Sequence, residues 1–284
     1  MRSTYQLSVI AAFVSLVSMQ VGAALAKTIF PLVGPEGIAA LRIGIAVILL
    51  GVVLRPWRLQ VERKHWLGLF LYGVTIGAMN LLIYRAFYYI PVGIAISIEV
   101  LGPLAVALLA SRRKIDLLWI AFALLGLALL PFGKASGGLD LRGVAFTLAA
   151  ALCWGIYIMV GSKVAIYGSR GVAVGMALAS IIILPFGFVH AGMALFQPYV
   201  LAFGLVIAVL SGTLPFLLDI YALKSLPRNI FGILMSASPA ISAIAGLVIL
   251  HEQLSIIQWG GIAAITVACF GTTAISARYN SSDR

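Results

Sequence analysis

Continuous apolar runs of about twenty residues recur along the chain, and no other feature limits its fold as strongly. A helix of about twenty residues is just long enough to cross a hydrocarbon core of about 30 Å. Inside lipid every backbone polar group needs a partner within the protein, so only helices and closed barrels can span it. Barrel strands alternate polar and apolar residues over about ten positions, and these runs do not alternate. The runs therefore predict an all-α membrane protein.

Ten transmembrane helices are predicted, separated by loops that carry proline and glycine. The composition agrees, because 63% of the 284 residues are apolar and only 10% are charged. Soluble domains contain about 25% charged residues, so this chain cannot surround a core of its own with a water-facing surface. The predicted helices span residues 6–29, 36–54, 67–88, 92–110, 116–133, 142–163, 171–191, 198–223, 229–250 and 255–276.

The first predicted helix also shares features with a secretory signal. Arg2 precedes an apolar run at 7–19, and Ala24-Leu25-Ala26 follows it as an A-x-A cleavage pattern would. The apolar stretch continues to Phe30, which is longer than a typical signal core. We therefore expect an uncleaved first transmembrane helix.

The distribution of basic residues predicts the orientation. With the amino terminus in the cytoplasm, 14 Lys and Arg residues fall in cytoplasmic segments and 2, Lys134 and Arg142, fall on the other side. The positive-inside rule then places both termini in the cytoplasm. The net charge of +11 is explained by these short loops, so no nucleic-acid binding is expected. The 14 residues are Arg2, Arg55, Arg58, Arg63, Lys64, Arg112, Arg113, Lys114, Lys163, Arg170, Lys224, Arg228, Arg278 and Arg284.

Residue patterns that carry enzyme chemistry are missing from the sequence. His251-Glu252 has no second histidine four residues after the first, as an H-E-x-x-H zinc site requires. There is no G-x-S-x-G elbow, and Cys153 and Cys269 lie in apolar runs without metal-ligand spacing. We therefore predict no enzyme activity, no metal and no cofactor. An intramembrane enzyme and a receptor or assembly scaffold are the rival classes, and the sequence disfavours both.

A shift of 136 residues aligns 67–110 with 203–246 and brings prolines into register. Pro91 meets Pro227 at the start of a predicted helix, and Pro103 meets Pro239 in the middle of one, where proline must kink or break it. The match predicts two five-helix repeats, 1–134 and 135–284. Because five is odd, the second repeat would insert upside down. Inverted repeats with interrupted helices are typical of transporters, with the substrate site near the midplane.

Ionisable residues inside the predicted helices are candidates for function, since burying a charge in lipid is costly. Glu99 lies four residues before Pro103 and could couple protons, bind a substrate ammonium, or form a structural ion pair with Arg85 or Arg42. Asp219 lies nearer the cytoplasmic end of its helix and could take part in coupling or contact solvent. Together with Pro103 and Pro239, Glu99 and Asp219 are the predicted coupling or gating residues.

Polar residues on predicted helix faces give further candidates for substrate binding. Asn80 and Tyr84 share one face with Gly73 and Gly77, a small-residue pair that lets another helix approach closely. Ser236 lies beside the Pro239 break, where freed backbone carbonyls could bind a substrate ammonium. Trp154 and Tyr157 share a face of the sixth helix, and Gln20 lies near the middle of the first. For each of these residues, plain helix packing is the alternative. Lys27 and Arg42 are either anion handles or structural cations.

The chain resembles the drug/metabolite transporter superfamily, in its amino-acid-metabolite exporter (EamA-type) family. The resemblance runs nearly end to end, and PVGIAISIEVLGPLAVALLASRR at 91–113 carries it most specifically. AALAKTIFPLVGPEGIAALR (23–42), LPFLLDIYALKSLP (214–227) and FGILMSASPAISAIAGLVILHEQLS (231–255) add to it. Where relatives often carry Glu-Pro in the second half, this chain has Ser238-Pro239, so its substrate preference could differ.

The resemblance implies ten helices, two inverted repeats and export of amino acids, with threonine- or homoserine-like molecules as expected substrates. We expect alternating access through a central cavity in a bacterial inner membrane. The expected partners are the small-molecule substrate and the lipid bilayer, with the chain acting as a monomer or homodimer. A carrier for a vitamin, nucleotide sugar or drug is the alternative within transport.

Overall fold

The structure, a computed structural model, describes residues 2–110, 115–132 and 139–282. Throughout these residues the chain forms helices joined by short turns and 3₁₀ segments, without strands. The α-helices are α1 (Arg2–Thr28), α2 (Phe30–Leu54), α3 (Trp66–Tyr89), α4 (Val92–Glu99), α5 (Leu101–Leu109), α6 (Asp116–Leu129), α7 (Leu141–Val164), α8 (Gly168–Ala191), α9 (Pro198–Ala208), α10 (Leu214–Leu223), α11 (Arg228–Met235), α12 (Ser238–Leu250) and α13 (Ile256–Ser282).

The predicted membrane-spanning class is confirmed. Within the described residues, nine helical stretches are long and apolar enough to cross a membrane. The fifth predicted span corresponds to α6, which is apolar but only 14 residues long where the structure describes it. The rest of that predicted span, and the boundary between the two predicted repeats at 134–135, lie outside the described residues. The protein is thus a multi-pass helical membrane protein.

Contacts distinguish the two ends of the bundle. At one end His65 Nδ1 lies 2.7 Å from the Tyr167 hydroxyl, and Ala12 packs with Leu226. We call this the basic end, because the described loops and helix ends there carry Arg55, Arg58, Arg63, Lys64, Arg170 and Lys224. At the opposite end Lys27 contacts Glu252, and Gln258 donates to the Leu130 carbonyl. Which end faces the cytoplasm stays a prediction.

Two spans begin after a proline and are interrupted at the same place. Pro91 and Pro227 precede α4 and α11 with φ, ψ of −57°, 142° and −57°, 141°. Each helix then runs for 8 residues before it breaks, α4 at Val100 and α11 at Ser236. Shifting α4 by the 136 residues of the repeat gives α11, although the inverted arrangement of the repeats stays a prediction.

The breaks explain how Pro103 and Pro239 are accommodated. Both prolines were expected in mid-helix, but each lies in the first turn of a new helix, α5 or α12. Proline is tolerated there because first-turn N–H groups lack intrahelical partners. Each proline also withholds the helical donor from a carbonyl four residues earlier, at Glu99 or Met235.

A third interruption was not foreseen from the sequence. Between α9 and α10 the backbone forms a π-helical turn, Val209–Thr213, followed by Pro215 in the first turn of α10. π-turns inside membrane helices often mark functional sites. Two backbone carbonyls of this π-helical turn accept hydrogen bonds from neighbouring helices. Ser18 Oγ of α1 donates to Leu210 O at 2.7 Å, and the Arg42 guanidinium of α2 donates to Ser211 O.

Small residues let the helices approach closely around these interruptions. A Cβ on Gly73 would lie 2.6 Å from the Leu178 Cβ, so α3 and α8 meet at the predicted small-residue face. A Cβ on Gly93 would lie 2.5 Å from the Ala243 Cα, which brings α4 directly against α12. The contact at Gly93 holds the two interrupted spans against each other.

Candidate transport site

Arg42 lies at the centre of a polar group in the middle of the bundle. It projects from the middle of α2 and donates one hydrogen bond to the Asn80 Oδ1 of α3 and another, at 3.4 Å, to the Ser211 carbonyl. Its guanidinium lies over the Tyr84 ring, 5.3 Å from the ring centre. We call Arg42, Asn80, Tyr84, Glu99 and Ser211 the central cluster.

Glu99 completes the central cluster at the end of α4. Its side chain is 5% exposed, and it interacts electrostatically with Arg42. Within the described residues, no cation nitrogen lies within 4.0 Å of its carboxylate. The ion pair with Arg85 considered from the sequence does not form, because Arg85 pairs with Glu36. Arg42 is thus the charged group that Glu99 faces, at more than ion-pair distance.

Tyr84 is buried with a hydroxyl that lacks a partner. Only 1% of the residue is exposed, its ring packs near Phe30 and Phe87, and its hydroxyl makes no hydrogen bond in the described part of the chain. Buried polar groups are usually hydrogen-bonded, so such a group calls for an explanation. A ligand group bound beside Arg42 would supply one.

Gln20 contacts the second interrupted span. Its Nε2 donates to the Ser238 Oγ at 2.7 Å, and both residues are buried. Ser236, the serine expected at the site, instead donates to the Gly232 carbonyl of its own helix at 2.9 Å. The Ser238 side chain therefore contacts α1, whereas the Ser236 hydroxyl forms its hydrogen bond within its own span.

The aromatic candidates lie elsewhere in the structure. The Tyr157 ring stacks on Tyr72 with ring centres 4.8 Å apart, and the Tyr72 hydroxyl donates to the Tyr157 hydroxyl at 3.1 Å. This pair belongs to a separate apolar group with Leu69 and Val164, toward the basic end. Trp154 is half-buried, and within the described residues no ring contact or hydrogen bond joins it to the central cluster.

Asp219 is also separate from the central cluster. It lies in α10, partly buried, and interacts with Ser15 of α1. Its Oδ1 is enclosed and has no hydrogen-bond partner among the described residues. Ser15 itself donates to the Pro215 carbonyl at 3.1 Å. Asp219 thus lies at the α1–α10 contact on the basic-end side of the π-turn.

Ion pairs join the helices at the opposite end. Lys27 Nζ lies 2.7 Å from Glu252 Oε1 and donates to the Ile90 carbonyl at 3.1 Å. Glu252 Oε2 accepts from the Val92 N–H at 2.9 Å, so it caps α4. Glu252 is therefore not a solvated residue beyond the end of α12, and its side chain is only 13% exposed. Together these contacts join α1, α4 and the segment after α12.

Two cavities lie outside the central cluster. One of about 200 Å³ lies at the basic end between Leu71, Val164 and Tyr167. Another of about 510 Å³ lies between α2 and α8, lined by Leu41 and Phe188. Neither is lined by a residue of the central cluster. Across the described residues, no three His, Cys, Asp or Glu side chains are grouped so as to hold a metal ion.

Of the residues expected to bind substrate, Asn80, Tyr84 and Glu99 belong to the central cluster; Arg42 was expected only as an anion handle or a structural cation, and Ser211 was not foreseen. Arg42 lies nearer the middle of its helix than expected, because α2 begins at Phe30 and not at residue 36. The signal for Ser211 was Pro215, because a proline four residues later removes the helical donor of its carbonyl. Ser238 was noticed only as a departure from the family pattern.

A multi-pass bundle with interrupted helices and ionisable residues at its centre is typical of membrane transporters for small molecules. A profile of the EamA-like transporter family matches residues 141–274. The threonine/homoserine exporters RhtA of Salmonella typhimurium (strain SL1344) and Escherichia coli (strain K12) are each 43% identical to the chain over 269 residues, which are 94% of this chain and 91% of the relative. A crystal structure of a protein 19% identical in sequence has the same fold, with a TM-score of 0.64 over 96% of this chain and 98% of the other.

The chain therefore belongs to the EamA-like transporter family, within the drug/metabolite transporter superfamily. It is a transporter and not an enzyme.

Proposed function

We propose that the protein exports small neutral amino acids, threonine- or homoserine-like, across a bacterial inner membrane. The observation that carries this proposal is the 43% identity to threonine/homoserine exporters over 94% of the chain. The central cluster supports it, because a zwitterionic substrate needs groups of both charge signs and Arg42 and Glu99 supply them. A carrier for a polyanionic metabolite would instead need several cations in its site.

The proposed orientation places the basic end in the cytoplasm. The described loops and helix ends there carry six Lys and Arg residues, whereas Arg142 lies in the first turn of α7 at the other end. Cytoplasmic loops of inner-membrane proteins are enriched in basic residues. Substrate would then enter the protein from the basic end and leave from the end closed by the Lys27–Glu252 pair.

Transport would proceed by alternating access. Gln20, Asn80, Tyr84 and Glu99 are the proposed substrate contacts, while Trp154, Tyr157 and Ser236 would line the path at other stages. The α4–α5 and α11–α12 spans can move as short rigid helices about their breaks, at Val100 and Ser236. Release at the opposite end requires separation of Lys27 from Glu252. Pro103 and Pro239 keep the breaks in place, and Glu99 and Asp219 are the proposed coupling carboxylates.

Flux measurements test this function directly. Purified protein in liposomes should transport labelled threonine saturably, and unlabelled homoserine should compete, whereas large aromatic amino acids should compete weakly. An inward or outward pH gradient should stimulate flux, and Glu99→Gln should remove that stimulation if Glu99 carries the coupled proton. Gradient-independent flux in the parent would make the protein a facilitator. Absence of amino-acid flux from folded protein would overturn the proposal and favour a vitamin, nucleotide-sugar or drug carrier.

A further inference from the structure

Lys27, Arg42 and Arg85 lie in described helices that can span the membrane, and they differ in their partners. Lys27 pairs with Glu252, and Arg85 pairs with Glu36. Arg42 has only neutral acceptors among the described residues, the Asn80 amide oxygen and the Ser211 carbonyl. A cation held in a membrane without an anionic partner is costly. The central cluster keeps Arg42 in this condition.

Glu99 is in the complementary condition. It is 5% exposed and accepts no hydrogen bond from the described residues, although Arg42 faces it from beyond 4.0 Å. Two opposite charges that are close but do not touch can both be satisfied by one molecule placed between them. That molecule must carry an anionic and a cationic group close together, as an α-amino acid zwitterion does.

We infer that Arg42 and Glu99 are the two poles of a zwitterion site: the carboxylate of an α-amino acid binds Arg42 beside Tyr84, and its ammonium group binds Glu99. The inference rests on the proposed amino-acid transport. It adds which residue binds the substrate carboxylate and which residue binds the substrate ammonium group. It also makes Arg42 an anion handle and not a structural cation, the two alternatives that the sequence left open.

The hydrogen bonds around Arg42 fit the carboxylate pole. A guanidinium has five N–H donors in a planar fork, and Asn80 and Ser211 accept only two of them. These two contacts fix the fork from α3 and from the π-turn, while the remaining donors can bind a carboxylate. The Tyr84 hydroxyl is buried without a partner, and its ring lies 5.3 Å from the guanidinium carbon. The hydroxyl supplies a further donor to the same carboxylate.

The break after α4 fits the ammonium pole. An ammonium group has three N–H donors and no acceptor, so it needs more than one oxygen. Glu99 offers its carboxylate and, because Pro103 has no N–H, a backbone carbonyl without its usual helical donor. The corresponding carbonyl in the second interrupted span belongs to Met235, which has no charge to offer. The ammonium pole therefore lies on the first span.

Ligand binding by the purified full-length protein separates the two poles. Threonine is compared with threoninol, in which CH₂OH replaces the carboxylate, and with the dihydroxybutyrate in which a hydroxyl replaces the ammonium group. Affinity is read from ligand-induced thermal stabilisation, which needs no turnover. In the parent, each analogue should bind at least about tenfold more weakly than threonine, since each loses a charge-assisted contact.

The variants should show a crosswise pattern. In Arg42→Gln the affinities for threonine and threoninol should lie within about threefold of each other, while dihydroxybutyrate should still bind about tenfold more weakly than threonine. In Glu99→Gln the affinities for threonine and dihydroxybutyrate should lie within about threefold, while threoninol should still bind about tenfold more weakly. Tyr84→Phe should lower the affinity for threonine several-fold and leave the affinity for threoninol unchanged. The matched variant Tyr72→Phe should change neither affinity. The double variant Glu36→Gln/Arg85→Gln removes a neighbouring pair and should keep the parent's preferences.

Other outcomes would overturn the inference. If Arg42→Gln and Glu99→Gln each lower the affinity for all three ligands by the same factor, Arg42 does not bind the carboxylate specifically and Glu99 does not bind the ammonium group specifically. Amino-acid binding and the proposed function would still stand. If the parent binds none of the three but transports another class of molecule, the proposed function fails and the inference with it. If Arg42→Gln does not fold, Arg42→Lys retains the charge but not the fork. It should weaken threonine several-fold and leave threoninol unchanged, and equal weakening of both would overturn the assignment.

Discussion

The span formed by α4 and α5 and the span formed by α11 and α12 follow the same backbone plan. Both begin after a proline with almost the same φ and ψ, and both break after 8 residues. Their side chains at the break differ: Glu99 ends α4, whereas Met235 ends α11. Prolines at matching positions are enough to interrupt a helix twice, but the charge that a zwitterion needs is present on one side only.

The same contrast holds one turn further along. Gly102 of α5 packs so closely on α7 that an added Cβ would collide with the Ala151 carbonyl. At the corresponding position of the second span, Ser238 instead accepts a hydrogen bond from Gln20. The first span is therefore held by close backbone approach and carries a charge, and the second is joined to α1 by a neutral hydrogen bond. Substitutions at paired positions can test this difference.

Substitutions at the ends of α4 and α11 should give the largest effect. Glu99→Met makes the first span like the second at this position and should lower threonine flux about a hundredfold, equivalent to about 2.7 kcal/mol in the transport barrier. Met235→Leu should change flux less than about twofold, since it conserves volume and chemistry. Initial rates in liposomes with equal amounts of folded protein give the measurement. Equal losses in both variants would show that the breaks, and not the charge, matter.

The contact that joins the two spans at the opposite end should give the next effect. Glu252→Ala leaves Lys27 without an anion and the Val92 N–H without an acceptor, so unfolding free energy should fall by about 2–3 kcal/mol. Glu252→Gln keeps an acceptor for Val92 and should lose less. Thermal unfolding of the purified protein is the measurement.

The control for this prediction is an ion pair at the basic end. Lys64 Nζ lies 2.7 Å from Glu62 Oε2, but the two side chains are 69% and 64% exposed. Exposed pairs contribute little, so Glu62→Ala should leave the unfolding temperature unchanged. If Glu62→Ala and Glu252→Ala destabilise equally, the contact at the opposite end does not stabilise the closed state in the way described.

Close approach at Gly102 should give a smaller loss of stability. In Gly102→Ala the new methyl group must displace the backbone of α7 at Ala151, and the unfolding free energy should fall by about 1–2 kcal/mol. Gly260→Ala is a matched control, because no atom lies within 4 Å of its added Cβ. There the better helix propensity of alanine should leave stability equal or slightly higher. Two unchanged unfolding temperatures would mean that α5 and α7 can separate without cost.

Hydropathy and proline positions predicted most of this architecture, because a membrane span needs a continuous apolar length that the sequence displays directly. α3, predicted at 67–88, forms at Trp66–Tyr89, and α7, predicted at 142–163, forms at Leu141–Val164. The position of each break was less accessible. Pro103 predicted an interruption, but whether the helix kinks at the proline or ends before it depends on which groups donate hydrogen bonds to the carbonyls that lose their helical donors.

The partners of polar residues could not be read from the sequence at all. Arg42 and Arg85 are both intramembrane arginines, and only the packing of α2 on α3 decides that Arg85 meets Glu36 while Arg42 meets Asn80. Tyr157 shares a helix face with Trp154, yet the contact that defines its role is with Tyr72 on α3. Helix periodicity gives the face of a residue but not the neighbouring helix, so four of the seven residues expected to bind substrate lie outside the central cluster.

The hydrogen bond between α1 and the second span should give the smallest effect and the most specific one. Gln20→Ala and Ser238→Ala each remove one partner of a buried bond and should each cost about 1 kcal/mol of unfolding free energy. Together they should cost little more than either alone, with a coupling of about 0.5–1.5 kcal/mol, because the second change removes a group already unpaired.

Ser236→Ala is the control for that cycle. Its hydroxyl donates only to the Gly232 carbonyl of its own helix, so its effect should be small and additive with Gln20→Ala. Coupling of Gln20 to Ser236 instead of Ser238 would place α12 one helical step away from the position described. Coupling to Ser238, with normal threonine affinity in Ser238→Ala, would show that a neutral hydrogen bond joins the second span to α1 and that the Ser238 hydroxyl does not bind substrate.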